Sequence, residues 1–287
     1  MKKLVLTFNI LLFFVGLAVA QSIDSLNIVN AKWKTQKIAP HTRLKTYHFS
    51  NNSLFNANQY ISFVEIKNKG KKVKLSLGAD SGTLYKTSEF GIKNNALLAI
   101  NGTFFDIKNG GSVDYIRANG QLINSNKLDN NQRARHQQAA ITIDKGRLAI
   151  KKWDNTLTWE EELKESDIMV SGPLLIYKNS VEALDKSSFT TARHPRTVVG
   201  VKKNGNVILL TVDGRHENSA GMSLNELTLL MKWLGSEDAL NLDGGGSTTL
   251  WLNNNQENGV VNYPSDNKKW DHEGERKVAN VILLKKN

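Results

Sequence analysis

The chain has 287 residues, 40% of them hydrophobic, and 38 Lys and Arg against 27 Asp and Glu give it a formal net charge of +11. It has no cysteine, which excludes disulfide bracing, zinc–thiolate sites and cysteine nucleophiles. The basic excess suits an anionic partner. The lysines are scattered, however, with no aromatic–basic interleaving and no recognition helix, so nucleic acid is set aside.

Residues 1–20, MKKLVLTFNILLFFVGLAVA, join two lysines to an apolar run that ends in Ala18-Val19-Ala20. This is the pattern of a secretory signal peptide, so the protein is expected to be exported, periplasmic or secreted. No later segment is apolar enough for a membrane span after signal cleavage. Residues 21–87 are expected to form a strand-rich lead-in packed on the core. Within them 21–58 is polar, Asn-rich and weakly periodic, and YISFVEI (60–66) and KVKLSLG (72–78) read as strands. Residues 88–287 form the main domain, with strands at ALLAIN (96–101), AAITID (139–144), LLIY (174–177), TVVGV (197–201) and NVILLTVDG (206–214). ALNLDG (239–244), TTLWL (248–252) and VANVILL (278–284) complete them.

Thr158-x-x-Glu161 and Ser223-x-x-Glu226 each fit a capping box. Leu224, Leu227, Leu230, Met231 and Leu234 share one helical face before a stop at Gly235. The expected fold class is α+β, or α/β: a single domain with a strand-rich mixed sheet and a few packed helices.

NVILLTVDGR and ALNLDGGGS each end an apolar strand in Asp-Gly, at Asp213 and Asp243. Taken singly, Asp-Gly is a turn. Joined by a crossover helix, the two strands run parallel and bring both acids to one sheet edge, where α/β folds hold ligands. The glycines Gly244, Gly245 and Gly246 offer bare backbone, with the hydroxyls of Ser247 and Thr248 alongside, able to cradle phosphate or sugar oxygens. NGTFFD follows another strand, and Phe104 and Phe105 point to opposite sides of it, so that one can pack inward while the other lines a pocket, or both can serve the core at a bent strand. Arg193, Arg196, Arg215 and Arg276 can clamp an anion or make internal salt bridges. No P-loop, nucleophile elbow or H-E-x-x-H motif occurs. His194, His216 and His272 stand beside motif acids and leave a divalent metal open, although none shows ligand spacing; no other cofactor is indicated.

NGTFFD, SGPLLI, RTVVG, LLTVDGR, GMSLNEL, ALNLDGGGSTTLW and NYPSD, in this order, resemble the phosphodiester glycosidase family from about Ser88 to the C-terminus. The resemblance implies hydrolysis of a sugar-1-phosphodiester, with a phosphorylated glycan or sugar phosphate as substrate. It places Asn101, Gly102, Phe104 and Phe105 at the site, with Arg196, Asp213, Gly214 and Arg215. Asn241, Asp243 and Gly244 to Ser247 follow, then Tyr263 to Asp266. Two departures stand out: Thr103 occupies a position where the family often has glycine, and the cysteines of the animal members are missing.

The expected chemistry uses Asp213 or Asp243 at the anomeric carbon, as base or nucleophile, with Arg196 stabilising the departing phosphate. Asn101, Gly102, Phe104, Phe105, Arg215, Asn241, the three glycines, Ser247, Thr248, Asp266 and Arg276 are the expected binding residues. Two alternatives stand beside it. One is a non-catalytic glycan-binding envelope protein with Trp251 or Trp270 as a sugar platform; the other is an ordinary two-carboxylate glycoside hydrolase. The sugar, the aglycone and the oligomeric state are not encoded in any motif.

Overall fold

The computed structural model describes residues 22–126, 128, 132–255 and 258–287; the predicted signal peptide lies outside the described residues. The fold is α+β and strand-rich. An eight-stranded sheet runs, in spatial order, Lys34–Ala39, Thr42–Leu54, Ala57–Ile66, Val207–Val212, Arg196–Lys202, Ser236–Asn241, Leu174–Tyr177 and Ser180–Val181. A five-stranded sheet is ordered Arg147–Lys152, Ala139–Asp144, Asp167–Ser171, Ile116–Ala118 and Gln121–Asn124. A four-stranded sheet holds Leu250–Leu252, Leu98–Asn101, Asn280–Lys286 and Val73–Ala79.

Period-2 alternation decides which face each residue of the large sheet serves. Val207 and Leu209 point into the main core, where they meet Val64, Ile141, Met169, Leu77 and Ile282 from all three sheets. Ile208, Leu210 and Val212 point the other way, onto Leu224, Leu227, Leu230 and Met231 of the helix Leu224–Trp233. Each such side chain, taken fully out of water, contributes about 1.5–3 kcal/mol. That is why a chain without disulfides can hold this architecture.

The helix Leu224–Trp233 begins as its sequence predicts. The Ser223 hydroxyl accepts from the Glu226 N–H at 3.2 Å, and the Glu226 carboxylate accepts from the Ser223 N–H at 2.9 Å. It connects Val207–Val212 to Ser236–Asn241. Both strands pair antiparallel with Arg196–Lys202 between them, so they run parallel to each other.

Three local expectations change. The second capping box does not form: Trp159–Glu162 is one turn, and the Thr158 side chain makes no cap. Glu160 is instead drawn into a buried ion pair with Arg133. The weakly periodic stretch 21–58 is more regular than expected, with a helix at Ile23–Asn30 and the strands Lys34–Ala39 and Thr42–Leu54. Its asparagines supply the positive φ this needs: Asn51 and Asn52 where the strand register shifts, and Asn56 in the turn that follows. A helix at Thr87–Lys93 was not foreseen; its start is fixed by the Glu89 carboxylate, which accepts from the Lys86 N–H at 2.7 Å.

Candidate active site

The parallel relation of the two Asp-Gly strands puts their ends on one edge. Asp213 follows Val212, whose register partner is Arg196, and the Leu242 N–H donates to the Thr197 carbonyl at 2.9 Å. Asp213, Arg196 and Asp243 therefore emerge side by side, the outer two on strands roughly 10 Å apart. The turns after them press on the same residue. A Cβ added to Gly214 would stand 2.8 Å from the Pro195 nitrogen, and one added to Gly244 would stand 2.6 Å from the Pro195 carbonyl oxygen. Both positions need glycine because backbone is what approaches them.

The rest of the glycine run is approached by arginines. Gly245, at φ +61°, has the Arg215 guanidinium 2.9 Å from where a Cβ would be. At Gly246 a Cβ would lie 2.5 Å from both Arg276 Nη2 and Asp266 Oδ1. Arg276 Nε donates to that Asp266 oxygen at 2.9 Å, so an ion pair roofs the third glycine. The turn Gly245–Ser247 thus carries a guanidinium on each side, and Thr248 is buried behind it.

The two aspartates sit differently. Asp213 is fully buried: Oδ1 accepts from Asn262 Nδ2 at 2.8 Å and Oδ2 from the Tyr263 N–H at 3.0 Å. Burial pushes its pKa up to about 7, against the pull of those two donors. Asp243 is half-buried. Its N–H donates to the Gly102 carbonyl at 3.0 Å, its own carbonyl accepts from Asn101 Nδ2 at 2.7 Å, and Oδ1 accepts from the Gly244 N–H at 2.9 Å. Burial raises its pKa to about 6, opposed by the Ser247 hydroxyl, the Gly244 amide and the positive charge of Arg276. A half-buried carboxylate that titrates near neutrality beside cations is equipped for proton transfer or attack.

Arg196 is buried, and much of its guanidinium is already committed. Nε donates to the Met222 carbonyl at 2.8 Å; Nη2 donates to the carbonyls of Phe189 and Ala192 at 2.7 and 2.9 Å. Burial, with Arg215 nearby, lowers its pKa to about 10. Among the described residues it forms no ion pair, so it places a fixed positive charge behind the edge. Arg215 likewise has no carboxylate partner among the described residues, so the internal salt bridge open to it is not made. Arg193 is structural: it pairs with Glu226, the carboxylate that also caps the helix.

Several predicted binding residues act as ties. Asn101 is buried; its Oδ1 accepts from the Thr197 hydroxyl at 2.7 Å and the Thr249 N–H at 3.1 Å. Gly102 abuts Asn280, whose Oδ1 would lie 2.1 Å from an added Cβ. Thr103, the family departure, is buried, and its N–H donates to that same Asn280 oxygen at 2.7 Å. Asn241 donates to the Gly172 and Leu242 carbonyls at 3.0 and 2.8 Å. The adjacent phenylalanines have different neighbours. Phe105 packs beside Phe90 and Val278, while Phe104 meets the rings of His136 and Phe189 at 5.3 and 6.2 Å.

Neither candidate sugar platform has a free face. Trp251 is buried, and Trp270 is sandwiched between Tyr263 at 4.0 Å and His216 at 5.0 Å. His272 stacks on the far side of Tyr263, and its Nδ1 lies 2.7 Å from the Asn262 carbonyl. Burial together with the charges of Arg196 and Arg215 lowers the pKa of His194. Among the described residues no three His, Asp or Glu side chains converge as a metal site. Sequence reasoning quoted Asn262 only as the first letter of NYPSD, with no role, and did not single out Asn280 or Pro195. An asparagine inside or beside an apolar strand is the signal that could have found the first two.

A family model described as phosphodiester glycosidase matches residues 94–285. The chain is 28% identical over 179 residues to N-acetylglucosamine-1-phosphodiester alpha-N-acetylglucosaminidase of Mus musculus, covering 59% of this chain and 33% of that protein. The Homo sapiens protein of the same name is 35% identical over 80 residues, which are 28% of this chain and 15% of that protein. The matched segments thus span a third or less of these curated relatives. Among solved structures, the catalytic domain of the zebrafish protein of that name, auto-inhibited by its pro-peptide, superposes with a TM-score of 0.65 at 20% identity. The match covers 89% of this chain and 88% of that one. A hypothetical protein from Synechocystis gives a TM-score of 0.64 at 15% identity, covering 88% of this chain and 63% of that one. At these identities the likeness to solved structures concerns the fold.

Proposed function

The chain belongs to the phosphodiester glycosidase family, and from that premise we propose that it is an exported hydrolase that cleaves sugar-1-phosphodiester linkages in phosphorylated glycans. The observation that carries this reading is the grouping of Asp243 with a bare-backbone turn flanked by Arg215 and Arg276. The phosphodiester lies against that turn, where the Arg215 and Arg276 guanidinium groups meet its charge; the N–H groups of Gly244, Gly245, Ser247 and Thr248 are already spent on protein acceptors. Asp243 takes a proton from water as the water oxygen bonds to the anomeric carbon, or bonds to that carbon itself before water displaces it. The carbon–oxygen bond to phosphate breaks, and the bonding pair leaves with the phosphate, which stays on the acceptor as a monoester.

A phosphate leaving group needs less protonation than an alcohol, and fixed cations stabilise it, so one carboxylate suffices where ordinary glycosidases use two. Asp213, with both oxygens engaged, positions Asn262 and Tyr263 and does not act on substrate. Export rests on the charged and apolar residues 1–20. With both faces of Trp270 covered, the platform on which a purely glycan-binding reading relied is lost.

The test is turnover of a panel of sugar-1-phosphodiesters in ¹⁸O water, with and without chelator, by the wild type and Asp243→Asn. Label in the released sugar and loss of turnover in the variant are expected. Label in the phosphate, or full activity of a folded Asp243→Asn, overturns the reading.

A further inference from the structure

A second buried carboxylate lies outside the cluster just described. Asp114 is completely buried, and its two oxygens are treated unequally. Oδ1 accepts from Gln137 Nε2 at 3.0 Å and lies 3.4 Å from His136 Nε2. Oδ2 has no hydrogen-bond partner among the described residues. Asp213 is just as buried, yet both of its oxygens are taken by protein donors. A buried carboxylate oxygen without a donor is costly, because it has given up water and received no hydrogen bond in return. Placing an amide donor and an imidazole nitrogen by one oxygen and no donor on the other leaves a donor-seeking atom in the fold.

Asp114 lines a cavity of about 500 Å³, with Asn109, Gly111, Ser112, Asn124 and His136 among its other walls. That volume lies within the range of about 300–1,000 Å³ usual for small-molecule sites. The cavity is built, not an accident of a loose loop. Gly110 and Gly111, at φ +77° and +75°, press their backbone on the Gly82 and Ser81 carbonyls, where a Cβ would come within 1.8 and 2.5 Å. Ser112 is pinned from behind by Asn280 Nδ2 at 2.9 Å, the same asparagine that fixes the Thr103 N–H. A chain of rings leads from the cavity to Arg196, the buried cation behind the strand edge. His136 meets Phe104, Phe104 meets Phe189, and the Phe189 ring lies 5.0 Å from the Arg196 guanidinium.

We infer that this cavity is a sugar subsite in which a ring hydroxyl donates to Asp114 Oδ2. The walls are amides, hydroxyls, one imidazole and the carboxylates of Asp106 and Asp114, and among the described residues the orphan side-chain atom there is an acceptor, Asp114 Oδ2. An uncharged polyhydroxyl ring satisfies such a lining; a phosphate would meet the acid unfavourably. The assignment rests on the function proposed above for its place in the reaction: the phosphodiester binds at Arg215 and Arg276, and a sugar ring of the same glycan binds beyond Phe104.

The experiment measures binding separately from turnover. Methyl glycosides of glucose, N-acetylglucosamine, mannose and galactose are titrated calorimetrically into the full chain, Asp114→Asn and Asn109→Trp. Asp114→Asn keeps an acceptor toward Gln137 and turns a donor into the cavity. Asn109→Trp fills the cavity from an exposed position, and it decides the matter if Asp114→Asn does not fold. At least one glycoside is expected to saturate the wild type and to bind at least tenfold more weakly to both variants, with thermal midpoints preserved. No saturable binding, or equal binding by the wild type and Asn109→Trp, overturns the subsite. The same proteins are assayed on the phosphodiester panel. Cavity binding without turnover leaves this inference standing and removes the proposed function; turnover with glycoside binding unaltered does the reverse.

Discussion

Asp213→Asn tests the distinction between an acid that organises and an acid that reacts. Its carboxyl accepts one hydrogen bond on each oxygen, from Asn262 Nδ2 and the Tyr263 N–H. A protonated carboxyl oxygen can still accept through a lone pair, but an amide NH2 cannot. The Tyr263 donor is main chain, and Asn262 cannot turn over, because its Oδ1 already accepts from the Leu250 N–H at 2.8 Å. Whichever way the new amide points, a donor faces a donor, and one buried hydrogen bond is lost at a cost of about 1–3 kcal/mol.

Against this stands the charge. Burial raises the Asp213 pKa from 3.8 to about 7 in the folded protein. A raised folded-state pKa contributes stability that is fully present below the unfolded value and is lost as pH climbs through the folded one. Three units at about 1.4 kcal/mol each make that loss on the order of 4 kcal/mol between pH 4 and pH 8. The variant has no such group to ionise. Urea unfolding at pH 4.5, 6 and 8 should therefore find the variant less stable than wild type at the acid end. The gap should close to parity, or reverse, at the alkaline end. Asp243 titrates in both proteins and cancels from the difference. A gap that stays constant across this range refutes a buried, proton-binding Asp213.

Three further outcomes are expected. With Asp243 raised to about 6 and acting in its ionised form, kcat/KM for a sugar-1-phosphodiester should rise about tenfold per pH unit below 6 and level off above it, as a pH–rate profile would show. Gly246→Ala pushes on the movable tips of Arg276 and Asp266, whereas Gly244→Ala pushes on the Pro195 backbone. The first should cost turnover with little change in thermal midpoint, and the second should lower the midpoint itself; identical behaviour in melting and assay argues against this division. Arg215→Ala, at an exposed position, should leave stability within about 0.5 kcal/mol of wild type. It should lower kcat about 100-fold, the effect of losing one group that stabilises charge in the transition state.

The parts of this molecule that were legible in the sequence share a cause. Where one local rule decides the outcome, as in Ser223-x-x-Glu226 before a stripe of leucines or Asp-Gly at the end of NVILLTV, the structure follows it. The parallel edge was readable because a single capped helix separates the two strands. It was not readable that the Arg196 strand inserts between them. Pairing across long loops depends on the whole sheet, and nothing in RTVVG records its neighbours. Likewise Thr158-x-x-Glu161 obeys the letter of a capping box, yet no side-chain cap forms there, and the neighbouring Glu160 is held by Arg133, 27 residues away.

The division of labour between Asp213 and Asp243 was hidden for a related reason. Both end an apolar strand in Asp-Gly, and only the arrival of Asn262 and Tyr263 from a distant segment gives both oxygens of Asp213 a protein donor. The glycine run shows the converse. Its three positions are glycine for three different neighbours: a main-chain carbonyl at Gly244, a guanidinium at Gly245 and an ion pair at Gly246. No side chain there could be tolerated without displacing either the strand edge or the charges around Asp243. Close approach of cations to bare backbone, next to a carboxylate that titrates near neutrality, is what a site handling a negatively charged sugar linkage requires.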